Sequence, residues 1–394
     1  MLALALALAA AAADTLAPAA AQEGPAVVVH RQPALPVVAV RLSVLADDPP
    51  GHAGAGHLLQ HLHLPRLEEQ AARVGGRVQA VRSADAVVYT AVGPAAELDY
   101  LAGLLRSALR PPTPSPAEML SALRALADER GAEREIAPSY VRAALRAALF
   151  PGDVPAAGTG LSAQRLEAAS LPALWGEMYR PERVAVVAVG DVELEGVRRA
   201  FAELPPAGGG GLAELPADTL PPLAADTPQA TRAWIGAAYP TEGAGPAALT
   251  VAARLLRNRM QSRMTRSQVA VEHWWTHHGQ ALAIVVATPD SLAATARRTV
   301  EGALAALSGA LAEDAVRDAA AAVRRDMLFF SRTPERMAEV LGTFADRGEG
   351  EDAAQRFFEA LEEVTLAEVR GVLDLLAAQE PVQVFVAAQR LVAR

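Results

Sequence analysis

The chain contains no cysteine and no lysine, and these two absences exclude several classes of function. Without cysteine there is no disulfide, no thiolate nucleophile and no cysteine-based zinc site. All 36 basic residues are arginines that form no basic run, and the net charge is −9, so we expect no nucleic-acid surface. Hydrophobic residues, in contrast, make up 52% of the 394 residues, enough to bury the cores of two or three domains.

The first 22 residues predict a secretory signal peptide. Met1–Ala13 is almost entirely leucine and alanine, and small residues follow up to Gln22, as at a signal cleavage site. No arginine precedes the apolar run, so the alternative is an alanine-rich tail or a wrongly assigned start. No later stretch reaches the roughly 18 apolar residues of a membrane helix. We therefore expect a periplasmic or secreted protein whose mature chain has no membrane span.

The order of predicted helices and strands is similar before and after a Pro/Gly-rich segment. Residues 207–222 include four consecutive glycines and have the composition of a flexible linker. Each part ends in an apolar strand, Arg183–Val189 in the first and Val382–Ala387 in the second. The sequence therefore predicts an α+β fold with two tandem similar domains, residues 23–206 and 223–394. Each domain is expected to be a mixed or antiparallel sheet with helices packed on one face.

Two histidines, His57 and His61, stand four residues apart in a predicted helix. This spacing places both imidazoles on one helix face, where they suit a tetrahedral zinc ion. Two ordinary helix histidines are the alternative, because the spacing alone is a weak signal.

Several segments resemble the insulinase/pitrilysin family of zinc metallopeptidases, which use an inverted H-x-x-E-H motif. They are the glycine turn and helix of Gly51–His61, the strand after the glycine pair in Gly75–Ala80, the segment Ala144–Gly152 and the closing strand in Tyr179–Asp191. Together they are similar to a half-size bacterial form related to mitochondrial processing peptidase. The resemblance implies a zinc cofactor, peptide or unfolded polypeptide as substrate, and pairing with a related subunit.

The resemblance also implies roles for particular residues. Glu129 matches the third zinc ligand beside His57 and His61, although a solvated helix charge is the alternative. Gln79 and Ala80 match the edge strand that binds substrate. Arg263 matches an arginine of the second half that contacts the substrate carbonyl.

Three departures from the family pattern predict impaired catalysis. Gln60 occupies the position of the general-base glutamate, and a neutral amide cannot accept a proton from water. Ala122 replaces an acidic residue that supports the ligand glutamate. The segment Val269–Trp275 lacks the expected tyrosine. We therefore expect a non-catalytic subunit that pairs with an active relative, with a weak or atypical zinc endopeptidase as the alternative.

A further group of histidines lies at His273, His277 and His278. These residues suggest either a second metal site or a histidine-rich surface loop. The loop is favoured because no carboxylate stands at ligand spacing from them.

Overall fold

The structure is a computed structural model, and it describes these residues: 25–150, 158, 162, 165–205, 212, 215, 230–347 and 352–388. The predicted signal peptide lies outside the described residues, as does most of the predicted linker. The domain limits therefore stay a prediction. A search of the described helices for one long and apolar enough to span a membrane finds none.

The first half of the chain builds a five-stranded mixed sheet. Its strands are β1 (Ala26–Arg31), β2 (Val37–Leu45), β3 (Arg77–Arg82), β4 (Ala86–Pro94) and β5 (Val184–Gly190). Its described helices are α1 (Ala55–Ala72), α2 (Leu98–Ala108), α3 (Pro116–Glu135), α4 (Ala137–Leu149), α5 (Leu171–Met178) and α6 (Leu194–Ala200). The strand order is β1-β5-β2-β4-β3, with β1 and β5 parallel and the other pairs antiparallel. β3 is therefore an edge strand of this sheet.

The second half builds a four-stranded antiparallel sheet. Its strands are β6 (Ala233–Pro240), β7 (Gln268–Thr276), β8 (Gly279–Thr288) and β9 (Val382–Val386). Its described helices are α7 (Pro246–Arg263), α8 (Ala293–Glu301), α9 (Ala303–Ser308), α10 (Glu313–Phe330), α11 (Pro334–Ala345), α12 (Ala353–Glu363) and α13 (Leu366–Ala377). Its order, β7-β8-β6-β9, repeats β3-β4-β2-β5 of the first sheet. This confirms the predicted fold of two tandem similar units.

Alternation along β2 shows how the sequence positions a strand between two layers. Leu42 and Val44 face the main core, which also contains residues of α1, α2 and α3. Arg41 and Ser43, at alternate positions, lie on the opposite face, and both are buried there. This second buried face was not predicted, because polar residues at alternate positions ordinarily face water.

The second face of each sheet is covered by one helix from the other half. Helix α11 packs on β2 and β5 of the first sheet, and helix α4 packs on β6 and β9 of the second. The Arg41 guanidinium pairs with the Asp346 carboxylate, which follows α11, at 2.5 and 2.8 Å. The sequence correctly predicted helices on one face of each sheet but did not predict this exchange.

One feature of the second half differs from the sequence prediction. The expected histidine-rich loop is wrong in part: His273 lies within β7, while His277 and His278 form the turn between β7 and β8. The alternation of β7 was hidden because each of its faces packs against a different core.

Candidate metal centre

Helix α1 begins at a glycine turn held by an aspartate. Gly54 precedes the helix with φ of 92°, a backbone conformation that favours glycine. The Asp48 carboxylate accepts hydrogen bonds from the backbone N–H groups of Gly54 and Gly56, at 2.6 and 2.9 Å. A carboxylate at a helix N-terminus satisfies otherwise unpaired N–H groups and interacts favourably with the helix dipole. The turn therefore fixes where the first histidine of α1 stands.

His57, His61 and Glu129 come together at the face between α1 and α3. The Glu129 carboxylate lies 3.0 Å from His57 Nε2 and 3.4 Å from His61 Nε2. The two imidazole rings are stacked, with centroids 4.6 Å apart. His57 is buried, whereas the Glu129 side chain is half exposed, with 51% of its surface accessible. Glu129 is thus as exposed as an ordinary surface glutamate, but its carboxylate is directed at both imidazoles.

The donor set of this triad fits zinc. Two imidazole nitrogens and one carboxylate oxygen lie within 4.8 Å of one another. Ligand atoms about 2.1 Å from a tetrahedral zinc ion lie about 3.4 Å apart, close to the observed separations from Glu129. Three protein ligands leave one coordination position for water or substrate, as in catalytic rather than structural zinc sites. That these residues bind a metal stays a prediction.

Gln60 lies next to the triad and is 5% exposed. Its Nε2 donates a hydrogen bond to the Ala80 carbonyl oxygen at 3.2 Å, which directs the amide toward β3. Among the described residues, its Oε1 has no hydrogen-bond partner. A buried acceptor without a protein partner suits a water or ligand donor.

The predicted substrate strand lies beside both α1 and the second half. Gln79 is exposed on β3, and its Nε2 donates to Glu335 Oε1 at 2.7 Å. Arg77 pairs with the same carboxylate at 2.5 and 3.0 Å. Glu335 belongs to the first turn of α11. The exchanged helix therefore places a carboxylate at the edge strand, a contact that sequence analysis missed.

Two other positions singled out in the sequence lie away from this contact. Arg263 is exposed in the last turn of α7, where it lines a small cleft with Arg298 and Thr299. Within the described part of the chain, no hydrogen bond or ion pair joins Arg263 to the triad, so its role in substrate binding stays a prediction. Ala122 is buried in α3 and packs in the main core, where it offers no polar group to Glu129.

A third histidine of α1 is not part of the triad. His63 packs near the rings of Tyr89 and Tyr179, whose hydroxyls are 3.0 Å apart. Burial lowers the pKa of His63 to about 4, so this imidazole is neutral at pH 7. Its separation from His61 by two residues places it on another face of the helix, a distinction that helical geometry predicts.

The fold is similar to that of solved peptidase structures. Neither a protein-family model nor a curated protein matches this sequence. A protease from Helicobacter pylori is 14% identical over 92% of this chain and 97% of its own, with a TM-score of 0.74. The peptidase M16 inactive domain from Pseudomonas fluorescens is 16% identical over 93% and 97%, with a TM-score of 0.75. A chain of complex III2 from Candida albicans is 14% identical over 92% and 93%, with a TM-score of 0.73. At these identities the comparison establishes the M16-type fold.

Proposed function

We propose that this protein is a catalytically impaired member of the M16 (insulinase-type) metallopeptidases that pairs with an active relative. Gln60 carries the proposal, because it lies buried beside three well-placed ligands at the position of the general base. Its amide can donate to Ala80 but cannot take a proton from water. The loss of a positioned base typically lowers the rate by about 10²–10⁴.

His57, His61 and Glu129 would hold the zinc ion. Zinc in such a site polarises a carbonyl and makes water more acidic. The protein's own contribution is to orient these ligands from two packed helices. The carboxylate of the triad itself is Glu129, and zinc binding would occupy that group, so it could not replace a base at position 60.

The contacts that edge strand β3 already makes support a reduced capacity to bind peptides. Peptides commonly bind to an edge strand through its main-chain groups. Here Gln60 already occupies the Ala80 carbonyl, and Glu335 holds the side chains of Arg77 and Gln79. A peptide that pairs with β3 would have to compete with Gln60 for the Ala80 carbonyl and pass beside Glu335.

Pairing and secretion rest on other features. The similar structures include a domain described as inactive and a chain of the multisubunit complex III2, so this fold occurs in inactive and in assembled forms. The N-terminal apolar segment ending near Gln22 supports export to the periplasm or beyond. The proposed partner is a related subunit with an intact H-x-x-E-H motif.

A weak zinc endopeptidase is the second candidate, and the triad geometry favours it. All three ligand types are present, and the His57–Glu129 and His61–Glu129 separations fit a single ion. An enzyme of this kind would act on unfolded peptides with a slow rate, because the base is missing.

The two candidates are separated by isolating the native protein and assaying it alone and with its partner. The first predicts a stable complex with a related peptidase and no cleavage of unstructured peptides by the isolated chain. Recovery only as a monomer would contradict the pairing. Zinc-dependent cleavage by that monomer, abolished in His61→Ala and retained in the exposed-site control His30→Ala, would establish the second candidate.

A gain-of-function variant tests the role assigned to Gln60. Gln60→Glu should raise zinc retention and increase peptide hydrolysis by about 10²–10⁴, the effect of a positioned base. The new carboxylate must first turn away from the Ala80 carbonyl, because two oxygens there would repel each other. If Gln60→Glu leaves both zinc content and hydrolysis unchanged in folded protein, the proposed base position is wrong.

A further inference from the structure

A second group of metal-ligand types lies at the junction of the two halves. The hairpin turn between β7 and β8 brings His277 and His278 to Asp47, which follows β2. His277 Nε2 lies 3.1 Å from Asp47 Oδ1, and His278 Nε2 lies 3.2 Å from the same oxygen. The three ligand atoms are within 4.8 Å of one another. Sequence analysis found no carboxylate for these histidines because Asp47 stands 230 residues from His277.

A fourth residue orients one of the histidines. His277 Nδ1 lies 2.7 Å from Asp85 Oδ1, and the backbone N–H of His277 donates to the same oxygen at 3.1 Å. This contact leaves Nε2 directed at Asp47. A histidine that binds metal through one nitrogen usually donates the other N–H to a carboxylate or carbonyl. Asp85 thus provides the outer carboxylate of a carboxylate–histidine–metal arrangement.

The ligand types of this group and its surroundings indicate which class of ion it would bind. Two imidazoles and one carboxylate suit zinc and neighbouring divalent transition metals rather than calcium or magnesium, which prefer oxygen ligands. The separations from Asp47 are close to the about 3.4 Å between ligands of one tetrahedral ion. Asp47, Asp85 and His277 also line an open cleft of about 980 Å³, which gives an ion a path to the site.

We infer that Asp47, His277 and His278 form a divalent transition-metal site that joins the two halves, with Asp85 as its positioning residue. The site does not depend on the proposed function, since none of its residues belongs to the His57–His61–Glu129 triad. Its ligands come from the segment that follows β2 on one side and from the β7–β8 turn on the other. A bound ion would therefore link the two sheets directly.

The test uses the full-length chain with His61→Ala, so that the triad does not contribute. Titration with Co²⁺ should give one equivalent bound, with the visible absorption of four-coordinate cobalt, and Zn²⁺ should displace it. His277→Ala and His278→Ala should each abolish that spectrum, while the exposed control His30→Ala should keep it. Asp85→Asn should weaken binding about 10–100-fold, as expected for an outer ligand, without abolishing it.

A metal-free ion-pair cluster is the competing explanation, and stability measurements separate the two. In the presence of a chelator, the free energy of unfolding is compared between His277→Ala and its His61→Ala parent. The difference gives the contribution of the ion pairs alone. Added Zn²⁺ should raise the midpoint of the parent and leave that of His277→Ala unchanged. The inference is overturned if the His61→Ala parent binds no Co²⁺ or Zn²⁺, or if the His277 and His278 variants bind them as well as it does.

Discussion

The same pair of helices carries different chemistry in the two halves. In the first half, α1 and α3 meet through His57, His61 and Glu129. In the second half, the corresponding helices α7 and α10 meet through an ion pair, Arg254 with Asp326, at 2.6 Å. The backbone arrangement is shared, so the difference lies in a few side chains on one helix face.

Local sequence explains why the second half has no equivalent triad. His57 and His61 are the third and seventh residues of α1, whereas the third and seventh residues of α7 are Ala248 and Ala252. Both alanines are buried in the second core. Alanine at these positions lets the helix pack closely against neighbouring elements and offers no ligand atom. The comparison indicates that the shared backbone can bring possible metal ligands together here, and that the residues at these two helix positions decide whether such a group is present.

The contact between helix and edge strand also differs between the halves. In the first, Gln60 of α1 bonds the main-chain carbonyl of Ala80 on β3. In the second, Thr250 Oγ1 on α7 lies 3.0 Å from His273 Nδ1 on β7. His273 Nε2 lies 3.0 Å from Gln280 Oε1. A side-chain network thus holds α7 to β7, whereas α1 uses a main-chain group of an edge strand.

The largest expected effect comes from the buried Arg41–Asp346 pair, which fixes the exchanged helix to the first sheet. Asp346→Ala should lower the free energy of unfolding by about 3–5 kcal/mol, because it leaves the Arg41 guanidinium buried without its carboxylate. Urea denaturation measures this change. The double variant Arg41→Leu/Asp346→Leu should recover much of the loss, and a single-variant loss below about 1 kcal/mol would contradict the role given to the pair.

Two glycines let the exchanged helices approach their sheets. A β-carbon at Gly342 would overlap the Arg41 guanidinium, and one at Gly236 would lie 2.6 Å from Val141 of α4. Gly342→Ala and Gly236→Ala should therefore each destabilise the protein by about 1–3 kcal/mol in the same denaturation assay. Gly371→Ala is the matched control, because nothing lies within 4 Å of its β-carbon. A similar loss in all three variants would show that close helix packing is not the cause.

A pH dependence follows from His273, the buried imidazole of the second network. Burial, with the nearby Arg347 cation, lowers its pKa to about 4, although the Gln280 contact opposes this shift. Below about pH 6.5 the unfolded chain takes up a proton that the folded chain excludes, so this residue reduces stability as pH falls from 6.5 to 4. The reduction is at most about 1.4 kcal/mol per pH unit. His273→Gln should flatten the measured stability profile in this range, and His30→Gln, at an exposed site, should not.

The smallest effect is expected for the ion pair that takes the place of the triad. Arg254 lowers the pKa of the Asp326 carboxyl, but that side chain is half exposed. Asp326→Ala should cost about 0.2–1 kcal/mol and leave metal content unchanged. His61→Ala should instead lower metal content. Loss of metal on Asp326→Ala would show that the two helix pairs are coupled, contrary to the comparison.

Local patterns in the sequence predicted much of the fold and part of the candidate site. Apolar runs predicted the closing strands β5 and β9, and the i, i+4 spacing placed His57 and His61 on one helix face, because both features depend on backbone geometry within one element. The resemblance to a family, rather than spacing, selected Glu129. The structure then placed its carboxylate within 3.4 Å of both imidazoles.

Contacts between the halves were decided only by tertiary structure. The sequence contains Asp47 and His277, Gln79 and Glu335, and Arg41 and Asp346, but no periodicity relates residues separated by 230, 256 and 305 positions. These pairs form because each sheet receives one helix from the other half and the β7–β8 turn reaches the end of β2. Such contacts depend on how whole layers pack, and local propensity carries no information about that packing. The sequence by itself therefore determined the elements and the histidine pair on α1, and the packing of the layers determined what surrounds them.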